Sequence, residues 1–156
     1  MKCLISGRMP EIPRGFAERP ALLLVKLGNE VAGRAQDPLA GLGLSGRQYM
    51  ALAVLSSDQP SSQLELARLC GLLPAQVVPV VDELERRGLV ERQRDEADRR
   101  RSVVRPTADG LALLAQADEL ARSIEEALFG DLDPAAREEF ADAMRAALGR
   151  AQSDGS

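Results

Sequence analysis

Histidine is absent from this chain of 156 residues, and cysteine occurs only twice, at Cys3 and Cys70. Without imidazole, the usual zinc ligand and the usual general base near neutral pH are both missing. That argues against a zinc centre and against imidazole-based catalysis. Only a site of carboxylates and cysteine is left open by the composition. Two cysteines make no disulfide framework, and their spacing gives no reason to pair them. Long apolar runs are missing as well. The longest near the start, residues 21–25, falls far short of a membrane span. Residues 1–10 hold basic groups but no apolar segment of the kind a secretory signal needs, so the expected compartment is the cytoplasm, with no membrane partner. No nucleophile–base constellation is visible. Glu125, Glu126, Asp131 and Asp133 read as solvated or capping acids near helix ends. The expectation is therefore no catalytic residue, no metal and no cofactor.

Charge is present but unevenly placed. The formal net charge is −4, yet residues 86–105 hold eight arginines and four acids, a local balance of +4. The other 136 residues balance at −8. With 28% charged and 45% hydrophobic residues, the composition is that of an ordinary soluble chain, and the length suits one domain, or one lobe plus an oligomerisation element.

Along the chain, residues 1–19 read as a flexible arm, because Gly7, Pro10, Pro13 and Gly15 interrupt any period. Pro20 can open a helix over 20–36, with Leu23, Leu24, Leu27 and Val31 at helical spacing, closed by Pro38 and the Gly41–Gly43 pair. Ser45 with Gln48 makes a capping box for a helix to about Ser56, and Ser62 with Glu65 makes another for "SQLELARLCG". Pro74 can start the next helix, with Val77, Val80, Val81 and Leu84 as a core stripe and Gly88 as its end. "LVERQR" and "RSVVR" read as two short strands with residues 95–99 as the hairpin tip. Thr107 caps a helix over 107–129, Asp133-Pro134 caps another over 134–149, and 151–156 is a tail. The fold class is mainly α with a small β-hairpin wing: a winged helix-turn-helix with N- and C-terminal dimerisation helices. A single domain spans 20–150, with a DNA-binding lobe at 45–106.

The segments "LARLCG", "VVDELERRGLVER" and "DEADRRRSVVRPTADG", in this order and spacing, resemble the multiple antibiotic resistance regulator (MarR) family of bacterial transcription factors. The similarity covers residues 44–110 in detail and the flanking helices in outline. It implies a DNA-binding regulator, a dimeric repressor of cytoplasmic location released by a small-molecule effector. It points to Arg99, Arg100 and Arg101 as the region of the wing arginine, with Arg86 and Arg94 of the same basic stretch also expected to contact DNA. Asp95 and Asp98 are expected to hold the loop and orient a guanidinium. An arginine at a narrow hairpin tip can enter an A·T-rich minor groove, where the negative potential is deepest. The resemblance also implies an interlocked homodimer through the terminal helices, and hence a pseudo-palindromic site on double-stranded DNA.

By register against the family, Ala75, Gln76, Val78 and Pro79 face the major groove, with Asp82 further along. Gln76 can pair bidentately with adenine, and Val78 can touch a thymine methyl. Pro79 is out of place in a regular helix, at a cost of ~3 kcal/mol. Three readings stand: a kinked helix that still inserts, a helix that starts at Pro79, or a protein that has lost much of its base reading. The kinked helix is favoured. Family members often take small aromatic or phenolic anions between the dimer helices and the lobe. Here Tyr49 with Arg19 or Arg47 could supply a wall and a charge, although a half-buried tyrosine and two surface arginines is the plainer reading. Cys70 reads as a small core residue rather than a redox sensor. The competing function class is a winged-helix protein–protein adaptor with little or no sequence-specific DNA binding.

Overall fold

Short-range capping chemistry sets most of the element boundaries. The computed structural model describes residues 18–58, 62–94 and 102–153, together with Ile12, Gly15 and Pro60. Helix α1 spans Pro20–Gly41, with Pro20 in its first turn. It runs on through Pro38, past the stop expected near Gln36. The reason is Leu39, which is carried into the core on the last turn. Its carbonyl then accepts from the N–H of Leu44 at 2.8 Å, while Gly43 N–H donates to Ala40 at 2.9 Å. Gly43 supplies the left-handed residue, φ 70°, that this Schellman closure needs.

Helix α2, Gly46–Ser57, starts on a complete capping box. Ser45 Oγ accepts from Gln48 N–H at 3.3 Å and Gln48 Oε1 accepts from Ser45 N–H at 2.8 Å. Helix α3, Gln63–Cys70, is capped by Ser62, whose Oγ accepts from Glu65 N–H at 3.2 Å. Helix α4 spans Pro74–Arg86. Strands β1, Val90–Arg94, and β2, Ser102–Pro106, pair antiparallel from Val90↔Pro106 to Arg94↔Ser102. Helix α5, Ala108–Phe129, is capped by Thr107, and helix α6, Pro134–Ser153, follows Asp133, whose carboxylate accepts from Ala136 N–H at 2.9 Å. The last helix thus extends beyond its expected end near residue 149.

The core lies under the lobe. Leu52 and Leu55 of α2, Leu66 of α3, Val77, Val81 and Leu84 of α4, and Val90 at the base of the hairpin are fully buried together. At roughly 1.5–3 kcal/mol per buried aliphatic side chain, this cluster dominates the fold. The terminal helices are different. Among its described side chains helix α6 contributes no buried residue, and Leu24, Val25 and Leu148 stand exposed. Between α1 and α6 lies an apolar groove of about 560 Å³, lined by Leu23, Leu27, Leu128, Phe140 and Met144 among others. Phe129 and Phe140 meet across the α5–α6 turn, ring centroids 5.6 Å apart.

Candidate nucleic-acid interface

The two short helices α3 and α4, with the hairpin behind them, form a winged helix-turn-helix. Helix α4 is continuous from Pro74, so a helix that begins only at Pro79 is set aside. Pro79 has no N–H for the carbonyl of Ala75, yet three buried side chains on the same helix outweigh the loss. The N-cap residue is Leu73, which has no side-chain acceptor. Gln76 takes over part of the capping by reaching back: its Oε1 accepts from Leu73 N–H at 3.1 Å. The residue expected to read adenine therefore has its carbonyl engaged in the free protein. Ala75, Val78, Pro79 and Asp82 all stand exposed on the outward side, opposite buried Val77, Val81 and Leu84.

Ion pairs occupy several of the charges around this surface. Arg86 makes a two-pronged contact with Glu83 one turn earlier, at 2.9 and 2.6 Å. The hydrogen bond holds the Glu83 carboxyl below the usual range and raises the Arg86 guanidinium. Arg92 on β1 forks between Asp82 and Glu85 of α4. That fork fixes the hairpin against the recognition helix and covers the acid that lies on its outward side. Arg87 donates to the carbonyl of Gly43, tying the end of α4 to the turn after α1. Neither Arg92 nor Arg87 stood out in the sequence, where they are two arginines in a run of eight. Arg94 closes β1. Asp95, Asp98, Arg99, Arg100 and Arg101, the expected wing tip, lie outside the described residues.

The base of the wing is built around Thr107 and Gly110. Thr107 Oγ1 donates to Gly88 O at 2.7 Å and accepts from Gly110 N–H at 3.1 Å, while Thr107 N–H donates to Leu89 O at 3.0 Å. Gly110 is buried against that same Leu89 carbonyl, and a β-carbon there would lie 1.9 Å from its oxygen. The Thr-x-x-Gly spacing is thus a packing requirement. It locks the start of α5 to the turn between α4 and β1.

Tyr49 sits where α2 meets α5. Its hydroxyl donates to Asp118 Oδ1 at 2.9 Å. Burial, then the hydrogen bond to Asp118 and the negative fields of Asp118 and Glu125, push its pKa up to about 12, against the opposing field of Arg122. Arg19, at the N-cap of α1, and Arg47, early in α2, both stand exposed. The cation whose field reaches Tyr49 is Arg122 of α5 rather than either of the two expected. Asp118 and Arg122 gave no signal in the sequence, since Asp118 lies 69 residues from its partner. Cys70 is buried and its thiol is pushed up by burial, so the thiolate that oxidants attack is suppressed. Among the described residues no group of three or more metal-ligating side chains comes together, and no single helix is long and apolar enough to cross a membrane.

The same architecture is found in known proteins. A model of the MarR family matches residues 42–101. Over 132 residues the chain is 30% identical to the HTH-type transcriptional repressor NicR of Pseudomonas putida, covering 85% of this chain and 84% of that protein. The crystal structure of CouR from Rhodococcus jostii RHA1, bound to p-coumaroyl-CoA, superposes with a TM-score of 0.77 at 30% identity, covering 87% of this chain and 96% of that one. A structure of Bordetella bronchiseptica BpsR, whose DNA binding is regulated by 6-hydroxynicotinic acid, superposes at 0.70 with 29% identity, covering 86% and 96%. The helix-turn-helix and the paired wing strands agree with these likenesses: the chain belongs to the MarR family of winged-helix transcriptional regulators.

Proposed function

We propose that this regulator is a homodimeric repressor that places α4 in the major groove and its arginine wing along the phosphates, and that a small aromatic acid releases it. The observation that carries the reading is the joining of an outward-facing α4 to an arginine-rich hairpin in one rigid lobe, through the Arg92 fork and the Thr107–Gly110 lock. The exposed apolar faces of α1 and α6 support assembly with a second copy. Two-fold symmetry then sets two half-sites about one helical turn apart. For the effector, support comes from CouR with p-coumaroyl-CoA and from BpsR with 6-hydroxynicotinic acid, both aromatic acids or their thioesters. The polar cluster of Tyr49, Asp118 and Arg122, at the seam between lobe and long helix, is the proposed place where such a ligand acts. A ligand that separated Tyr49 from Asp118 would loosen the lobe from α5.

The test is a titration of duplex DNA at several salt concentrations. Nanomolar to low-micromolar binding that weakens steeply with salt is expected. Arg99→Ala and Arg100→Ala are each expected to flatten the log-affinity against log-salt line by up to ~1 unit, the signature of one lost phosphate contact. Asp98→Ala should weaken binding although it removes a negative charge, because it frees the arginine it orients. Salt-insensitive failure to bind any duplex would instead favour the protein–protein adaptor.

A further inference from the structure

The outward side of α4 has an unusual chemistry for a helix that reads DNA. No charged residue occurs from Pro74 to Val81. Ala75, Val78 and Pro79 fall at helical spacings of three and four, so they form one continuous strip, and all are exposed. Val78 is 43% exposed, and Leu73 at the N-cap is 68% exposed. Of the polar groups that border the strip, Gln76 has its Oε1 on the Leu73 N–H and Asp82 its Oδ1 on Arg92. What the strip offers outward is a methyl, an isopropyl and a pyrrolidine ring.

In the major groove the only apolar group on a base edge is the C5-methyl of thymine. Every base pair also shows donors and acceptors that these side chains cannot pair, thymine O4 included, so covering any of them carries a desolvation cost. Only thymine adds an apolar group that offsets that cost, so the strip favours positions where a thymine methyl meets it. We propose that α4 recognises its operator chiefly by apolar contact between Ala75, Val78 and Pro79 and thymine methyl groups. This rests on the DNA-binding reading above and specifies how that site chooses sequence. It places thymines in each half-site opposite the first two turns of α4.

The test uses the intact protein and a preferred duplex selected from a random pool. Each thymine is replaced in turn by deoxyuridine, which keeps the base pair and removes only the methyl. At the contacted positions affinity is expected to fall roughly fourfold per methyl, the ~0.8 kcal/mol of one buried methylene converted at 1.4 kcal/mol per tenfold. In Val78→Ala the penalty at the position opposite Val78 should shrink, so that side chain and methyl are not additive. Val78→Thr, of nearly the same shape, is the second variant should Val78→Ala melt early. Placing 5-methylcytosine where cytosine weakens binding should recover part of the loss. A duplex bound in preference to random DNA but indifferent to every uridine replacement would overturn the proposal and leave DNA binding intact. So would strictly additive effects of Val78 and methyl removal. Absence of salt-dependent binding to any duplex would overturn both readings together.

Discussion

At Gly110 a single missing β-carbon decides whether the wing can sit on the long helix. The Leu89 carbonyl oxygen occupies the place where that carbon would be, 1.9 Å away. Gly110→Ala must therefore push β1 away from α5 or break the Thr107 contacts. A loss of ~1–3 kcal/mol is expected, the usual range for overpacking a rigid site. Denaturant unfolding checks it, and an unchanged midpoint would show that the junction is plastic. Tyr49 is a second residue whose environment sets a measurable property. Its pKa is raised from 10.0 to about 12 in the folded protein. The folded state thus holds the phenolic proton after the unfolded chain has released it. The stabilisation is fully present below pH 10 and is lost as pH rises through about 12. Melting curves between pH 9 and 12 should show a decline in stability that is shallower in Tyr49→Phe. Below pH 9 the same variant should be less stable by about 1 kcal/mol, because Asp118 loses its donor. Equal slopes in the two proteins would mean that Tyr49 is not the titrating group.

Among the elements, α4 is the one whose local preferences and tertiary role disagree. Its N-cap is a leucine, its first residue is a proline, and Pro79 interrupts its hydrogen bonding. Replacing Pro79 by alanine restores a donor for the Ala75 carbonyl and removes a clash. Stability should rise by up to ~3 kcal/mol. The outward strip would lose one apolar contact in the same step, so the preference among duplexes should change more than overall affinity, which on the proposed reading rests mainly on the wing arginines. Melting temperature and the ratio of operator to random-duplex affinity, measured at one salt concentration, test both halves. A less stable Pro79→Ala protein would show that the surroundings are built around the ring. Helix α1 shows the same competition: Pro38 stands near its end, yet the helix continues because it delivers Leu39 to the core.

For the whole molecule, the contrast between a well-buried lobe and bare terminal helices is the main feature. The groove between α1 and α6 and the exposed Leu24, Val25 and Leu148 suit a second copy of the chain. Truncation before Pro134 is expected to give a monomer that exposes the apolar faces of α1 and α5. Sedimentation of the intact protein as a well-folded monomer would sink the dimer. Hydrogen bonds that couple the lobe to α1 and α5 include Arg87 on the Gly43 carbonyl, Thr107 on Gly88, and Tyr49 on Asp118. A shift of the terminal helices would reach the lobe through these contacts.

The sequence by itself determined whatever depends on near neighbours. The Ser45–Gln48 capping box, the Ser62 cap, the glycines Gly43, Gly71 and Gly88 that close α1, α3 and α4, the core stripe of α4 and the two strands act within a few residues. The excess of arginine over residues 86–105 and the Thr-x-x-Gly spacing were legible for the same reason. Only the tertiary structure decided which arginines are already engaged. Arg87 reaches the Gly43 carbonyl 44 residues away, and Arg92 on the hairpin grips Asp82 and Glu85 of α4. It also decided that Tyr49 meets Asp118 and that Pro79 stays inside a helix. These outcomes hang on packing between segments distant in sequence. There, buried area and a partner's position outweigh local propensity by several kcal/mol.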